Sequence, residues 1–481
     1  MAVSRYAFCM DSRPWFCLSP RKCNNLDMSR TLKKSDELEL RVTSLAYGGK
    51  GVARVDGFVV FVEGAVPGDF VRARVTKAKP SYAEARTLEV IDASARRTAP
   101  ECRHFGACGG CSWQTLAYPD QLSWKQRQVS DCLEHIGGLT GFVMDEPLGA
   151  EPLWRYRNKV EFSFADRDGG ISLGFHLPGE WRHVLDIEDC LLHSRYTNDI
   201  RNHIRQYAAS TGLGAWDQRS RQGFWRHLVL RESAHTGEVM VNLVTAPGDL
   251  PDGGSFAAGL VERFPRVVAL LHSINDTASS TAGGHPFTVL AGRDHFFEEL
   301  CGLGLMVPPS SFLQTNTVMA ERLYRRALEY AGPSGYELVF DLYSGIGSIA
   351  LLMAGSCREV WGVEIGEEAV AQARTNAGLN GIDNAHFTAG KVRAVLKEAD
   401  PGNRPDLVVL DPPRAGAGKK ELQRIIELGA PRITYVSCNP ATMAGNAAQL
   451  ADGGYRLARV GAVDMFPHTP HIEAVSFFEK G

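Results

Sequence analysis

Between residues 338 and 364 the chain passes from one apolar run, Leu338–Leu342, through a glycine-bearing turn and a helical pattern into a second run, Glu359–Glu364. The turn reads Asp341-Leu342-Tyr343-Ser344-Gly345-Ile346-Gly347-Ser348-Ile349-Ala350. Glycines there let the backbone turn tightly and a ligand approach it closely. Further apolar runs follow at Leu407–Leu410, Thr434–Val436, Arg456–Val463 and His471–Phe478, with helical patterns between the early ones. Strands that alternate with helices need crossover connections. The pattern therefore predicts an α/β fold with a mainly parallel, doubly wound sheet over residues 311–481.

Such sheets bind ligands at the carboxyl ends of their strands, and this chain concentrates its reactive side chains there. Asp341 stands at the turn, and Glu364 ends the second run 23 residues later, where an acid can hold ribose hydroxyls. Gly-x-Gly-x-x-Ala alone also fits a dinucleotide. Asp411 opens Asp411-Pro412-Pro413-Arg414 after the third run, and Cys438 follows 27 residues on, in Val436-Ser437-Cys438-Asn439-Pro440. A free cysteine is usually a small buried hydrophobe, but Ser, Asn and Pro neighbours at a strand end fit that poorly. A thiolate there is a soft nucleophile. Transfer to a ring nitrogen needs none, whereas carbon 5 of a pyrimidine becomes nucleophilic once a thiolate has added at carbon 6. Glu473, in the last run, is placed to remove the carbon 5 proton. His471 beside it reads as a packing or hydrogen-bonding residue.

Upstream, residues 36–92 read as all-β. Leu38, Leu40 and Val42 alternate with polar residues, and Val59–Val62 and Phe70–Val75 follow between Gly-Gly, Asp-Gly and Pro-Gly-Asp turns. About five short strands in this space suit a small OB-like barrel. Residues 1–100 carry 17 Lys and Arg against 11 Asp and Glu, although the whole chain has a net charge of −3. A basic N-terminal module on an acidic body is expected to touch an anionic polymer, supplying affinity rather than chemistry. Arg72, Arg74, Lys77 and Lys79, on one strand and its turn, are the expected contacts. Residues 1–35 are expected to form a disordered tail, and 93–310 a central domain. There Tyr118 to Gly137 has helical periodicity, and Trp154-Arg155-Tyr156-Arg157-Asn158-Lys159-Val160 interleaves aromatics with cations, a pattern able to stack bases and pair phosphates.

Eleven cysteines, an odd number in a chain without a recognisable export signal, argue against a disulfide framework. Cys102, Cys108 and Cys111 form C-x5-C-x2-C, and Cys190 stands alone downstream. Four thiolates suit zinc or an iron–sulfur cluster. A triple arm with one distant partner suits the cluster better than the paired hairpins common around zinc. Cys132, on a helical face, reads as packing. No run approaches the ~18 apolar residues of a membrane span, so a cytoplasmic setting is expected.

In this order the motifs resemble the RNA (uracil-5-)-methyltransferases, especially the iron–sulfur, TRAM-bearing branch acting on 23S ribosomal RNA. The resemblance runs from about residue 36 to 481. It includes Ala46 to Arg54, the cysteine set, Tyr156-Arg157-Asn158-Lys159, Phe312-Leu313-Gln314-Thr315-Asn316, Asp341 to Gly347, Asp411 to Arg414, Ser437 to Pro440 and His471-Ile472-Glu473. It implies an N-terminal TRAM barrel, a central α+β domain with a [4Fe-4S] cluster on Cys102, Cys108, Cys111 and Cys190, and a C-terminal Rossmann-like domain for S-adenosyl-L-methionine. It implies Gln314, Tyr343, Glu364 and Asp411 at the cofactor, Cys438 as nucleophile and Glu473 as base. Ser348 departs from the family, which often has Asn there. The expected activity is methylation of uridine carbon 5 by a monomer, with 23S ribosomal RNA as partner. The same chemistry on transfer RNA, or a non-catalytic RNA-binding protein with a degenerate methyltransferase fold, are the alternatives. The presence of Asp341, Asp411, Cys438 and Glu473 speaks against the last.

Overall fold

The computed structural model describes residues 32–167, 170–398 and 404–481. Most of the expected N-terminal tail, residues 1–31, lies outside them. Leu32 packs on the first core, and the Ser35 N–H donates to the Val75 carbonyl at 2.8 Å.

The N-terminal unit is a six-stranded sheet in the order Glu37–Arg41, Phe70–Ala78, Tyr82–Asp92, Phe58–Glu63, Gly51–Val55 and Ser44–Leu45. Alternation turns Leu38, Leu40, Val71, Ala73 and Val75 inward. The outward cations of the second strand are not free: Arg72 pairs with Glu89, Arg74 with Glu37 and Lys77 with Glu84. Three of the four expected phosphate contacts thus already have carboxylate partners on neighbouring strands.

The C-terminal sheet has eight strands, in the order Ala385–Ala389, Glu359–Glu364, Leu338–Leu342, Leu407–Leu410, Arg432–Ser437, Glu473–Lys480, Tyr455–Val463 and Val143–Met144. The first five pair in parallel, and Glu473–Lys480 returns antiparallel between its two neighbours. Helices cover the central strands, so Leu338–Leu342 and Leu407–Leu410 are buried along their whole length. Two edge strands escape sequence reading. Ala385–Ala389 alternates apolar and polar residues over only five positions, and Val143–Met144 is two residues long.

The expected helix forms over Tyr118–His135, with Pro119 in its first turn. It lies on the C-terminal sheet rather than with the central domain. Val129, Cys132 and Leu133 share a core with Leu410, Tyr435, Met443 and Ala474. The central unit proper is a seven-stranded sheet from Glu180–Asp186 to Phe287–Gly292, backed by helices Arg195–Ser210 and Gly253–Arg263. Among the described residues no helix is long and apolar enough to cross a membrane.

One buried ion pair anchors the Tyr118–His135 helix to the segment that precedes the last strand. Lys125 Nζ donates to Asp464 Oδ1 at 2.6 Å and to the Phe466 carbonyl at 3.0 Å, with the Lys125 and Asp464 side chains only 1% and 0% exposed. Desolvation costs such a pair most of its Coulombic gain, yet losing one partner strands the other. Asp464→Ala is expected to cost about 3–5 kcal/mol in urea unfolding. A loss under about 1 kcal/mol would mean that Lys125 escapes to water.

Candidate active site

At the carboxyl ends of the parallel strands a cleft of about 1160 Å³ opens. Gln314, Tyr343, Glu364, Asp411, Cys438 and Glu473, all named from sequence, line it together. The glycine turn builds one wall. Gly347 has φ +90°, and a Cβ there would stand 3.1 Å from Phe387 and 3.2 Å from Ala373. Tyr343 adopts φ +73°, a costly conformation for a residue with a side chain, and its N–H donates to the Val363 carbonyl. Asn376 braces the turn from behind through the Ile346 carbonyl and the Met306 N–H. Glu364 accepts the Gly345 N–H at 3.1 Å and the Gly366 N–H at 3.0 Å, holding its carboxylate at the strand end.

Asp341 is buried, and neither carboxylate oxygen completes a hydrogen bond. Burial, with the Asp411 charge behind it, pushes its acid up to about 8. Loss of hydration raises Asp411 to about 7. Orphaned carboxyl groups beside a strained glycine turn fit a ligand with a cationic end, and Glu364 fits a hydroxyl-bearing one.

The second wall joins two loops. Asn439 accepts the Ala441 and Thr442 N–H groups, capping the helix Pro440–Asp452, and its Nδ2 donates to the Arg414 carbonyl at 3.0 Å. Asn446 holds Ala417 at the far end of the same loop. Ser437 pairs with Ala474 in the antiparallel ladder, so the next step brings Cys438 opposite Glu473, on one face. Glu473 is 3% exposed. Burial, then the Asp411 charge, raises its acid well above the usual carboxylate range, and Arg414 opposes this. Cys438 is pushed up to about 11 by burial, then by Glu473 and Asp411, again opposed by Arg414. His471 also lines the cleft, and burial, then the Arg414 charge, lowers its imidazole below the usual histidine range.

Arg414 was missed as a site residue, although its place after Asp411-Pro-Pro was visible. Arg157, Lys391, Arg393, Lys419 and Lys420 also line the cleft, brought there from separate loops. Of the interleaved segment Trp154 to Lys159, only part faces outward chemistry. Trp154 stacks on His468 at 3.8 Å, Tyr156 donates to the Pro467 carbonyl, and Arg155 pairs with Asp189. Their rings and charges hold the fold, leaving Arg157 at the cleft. Cys102, Cys108, Cys111 and Cys190 line a second cavity of about 550 Å³ that shares Arg157, Gly110 and Thr315 with the first. Cys132 packs in the core, as expected.

The family model for tRNA (uracil-5-)-methyltransferases matches residues 305–481, and that for the TRAM domain matches residues 33–88. A Halalkalibacterium halodurans protein named an uncharacterized RNA methyltransferase is 36% identical over 449 residues, covering 93% of this chain and 98% of its own. A Porphyromonas gingivalis protein of the same description is 40% identical over 458 residues, covering 91% and 98%. Among solved structures, the tRNA (uracil-54, C5)-methyltransferase of Pyrococcus abyssi in complex with S-adenosyl-L-homocysteine aligns with a TM-score of 0.74 at 28% identity, over 92% of this chain and 99% of that one. With the cleft, the glycine turn and the barrel in place, the chain belongs to the S-adenosylmethionine-dependent RNA (uracil-5-)-methyltransferases that carry a TRAM domain.

Proposed function

We propose that this protein methylates carbon 5 of a uridine in 23S ribosomal RNA through a covalent Cys438 adduct. The observation that carries this is the placement of Cys438 opposite Glu473 within the cleft that Gln314, Glu364 and Asp411 also line. The cations Arg157, Lys391, Arg393, Arg414, Lys419 and Lys420 around that cleft suit a polyanion. All these groups come from one chain, which suits a monomer, and a cytoplasmic setting agrees with an RNA substrate.

The uridine must leave its stack to enter, at a cost of a few kcal/mol when paired. The Cys438 thiol gives up its proton, and its sulfur bonds to ring carbon 6 while the ring electrons move to the carbon 4 oxygen. S-adenosylmethionine, when bound, would supply the methyl group, which carbon 5 would take with those electrons while S-adenosylhomocysteine leaves. The Glu473 carboxylate then removes the carbon 5 proton, the ring double bond re-forms, and the thiolate leaves. Arg414 is placed to favour the anionic forms of both Cys438 and Glu473. Asp341 and Asp411 hold the cationic cofactor end, Glu364 its ribose, and Gln314 and Tyr343 the walls around it.

The same chemistry on transfer RNA is the second reading, favoured by the substrate named for the Pyrococcus abyssi enzyme. Methyl transfer to unmodified 23S ribosomal RNA, with transfer RNA alongside, decides between them. Modification of transfer RNA alone would overturn the ribosomal assignment.

The four cysteines are proposed to hold a [4Fe-4S] cluster. They share one cavity, and the Gly110 N–H reaches Cys108 Sγ at 3.4 Å, as a thiolate donor set requires. Among the described residues no group of three or more potential ligands is placed to hold a metal ion, and the proposal rests on the four cysteines sharing one cavity. Methyl transfer needs no electron, so the role assigned is structural. Cys190→Ala is expected to remove iron and visible absorbance from anaerobically purified protein. Stoichiometric zinc without iron in the wild type would contradict the cluster.

Cys438→Ala is expected to abolish methylation while leaving the unfolding midpoint in place. Full turnover by this variant sinks the nucleophile assignment. Glu473→Gln is expected to accumulate a methylated RNA–protein adduct on denaturing gels, because addition survives and proton removal does not. If RNA binds and no adduct accumulates, Glu473 is not the base.

Cofactor affinity should depend on pH. Asp341 and Asp411, raised to about 8 and about 7, are largely protonated below neutrality. A cation favours their charged forms, so binding releases protons and affinity rises with pH between roughly 6 and 8, then levels off. Calorimetry in buffers of different ionisation enthalpy measures the release. A pH-independent affinity with no proton release would show that neither acid meets the cation.

A further inference from the structure

The barrel reaches the nucleophile. Its turn between Ser44–Leu45 and Gly51–Val55 carries Tyr47, whose hydroxyl donates to Asn439 Oδ1 at 3.1 Å. Asn439 is the residue after Cys438, and the same oxygen caps the following helix while the same side chain grips the Arg414 carbonyl. Tyr47 therefore contacts a side chain that ties the Cys438 turn to the Asp411–Arg414 loop. Burial and the Cys438 charge both raise the phenol of Tyr47, which places it within electrostatic reach of the thiol.

The turn is clamped in place. Gln128 Nε2 donates to the Ala46 carbonyl at 3.0 Å, and the Trp113 indole N–H donates to the Gly49 carbonyl at 3.1 Å. Gly49 has φ +92°, and a Cβ there would come within 2.8 Å of Pro470 and 2.9 Å of Trp113, so only glycine fits. Pro470 lies just ahead of His471 and Glu473. The barrel turn is thus wedged between the nucleophile turn and the segment that delivers the base. Tyr47 itself remains 44% exposed.

We infer that Tyr47 is a positioning residue for Cys438: through Asn439 it sets the nucleophile turn, making the RNA-binding barrel part of the catalytic apparatus. This rests on Cys438 as nucleophile. Because the bond is a single neutral one, the expected effect is a roughly two- to tenfold change.

The test uses full-length protein, S-adenosylmethionine and a transcript of whichever RNA the wild type methylates, made with 5-fluorouridine. Fluorine cannot leave carbon 5 as a cation, so the adduct persists and its rate of formation can be timed. Tyr47→Phe is expected to slow adduct formation roughly two- to tenfold at saturating RNA and cofactor, with both dissociation constants and the unfolding midpoint unchanged. Adding Tyr47→Phe to Asn439→Ala should slow it no further, since the tyrosine acts through that side chain. An unchanged rate, a loss confined to RNA affinity, or additive effects in the double variant would each overturn the proposal while leaving the wild-type adduct on Cys438. A wild type that forms no adduct would remove the nucleophile assignment and this inference together.

Discussion

Six paired positions join Arg432–Ser437 to Glu473–Lys480, from Arg432 opposite Glu479 to Ser437 opposite Ala474. Sheet register is all-or-none at this scale: a slip of one residue turns every side chain to the other face. Buried residues on both faces of these strands, among them Tyr435, Val436, Val475 and Phe478, forbid such a slip. Cys438 and Glu473, the nucleophile and base of the proposed reaction, are therefore set opposite each other by the same apolar burial that holds the sheet. Asn439 completes the arrangement by fastening the strand end to the Asp411–Arg414 loop.

The cleft so formed collects acids where water is scarce. Burial raises Asp341, Asp411, Glu473 and Cys438; the Asp411 charge raises the other three further, Glu473 adds to the rise at Cys438, and Arg414 opposes it at Glu473 and Cys438. A free protein in this state stores unfavourable electrostatics that a cationic ligand relieves.

The domains meet around one segment, residues 464–472. Lys125 fixes its start, Gln121 meets His468, Trp154 stacks on His468, and the barrel turn presses on Pro470. Helix, central unit and barrel thus converge on the stretch that positions Glu473. This explains why Trp154 and Tyr156 face inward, onto His468 and Pro467.

Local sequence was enough for the strand–turn–helix units and for the residues at their ends. Continuous apolar runs name central parallel strands, and Asp341, Glu364, Asp411 and Cys438 sit at strand ends wherever those strands occur. It was also enough for the TRAM barrel, whose alternation and turns are short-range signals. Short edge strands carried too few residues to declare themselves, and the helix Tyr118–His135 carried an apolar stripe without an address. Tertiary structure alone decided that this helix joins the C-terminal core, that Arg414 and the loop lysines line the cleft, and that Tyr47 touches Asn439 across 392 positions of chain. Periodicity reports which face a residue occupies, because that depends on its neighbours in sequence. Which surface meets that face depends on long-range packing, and no local pattern encodes it.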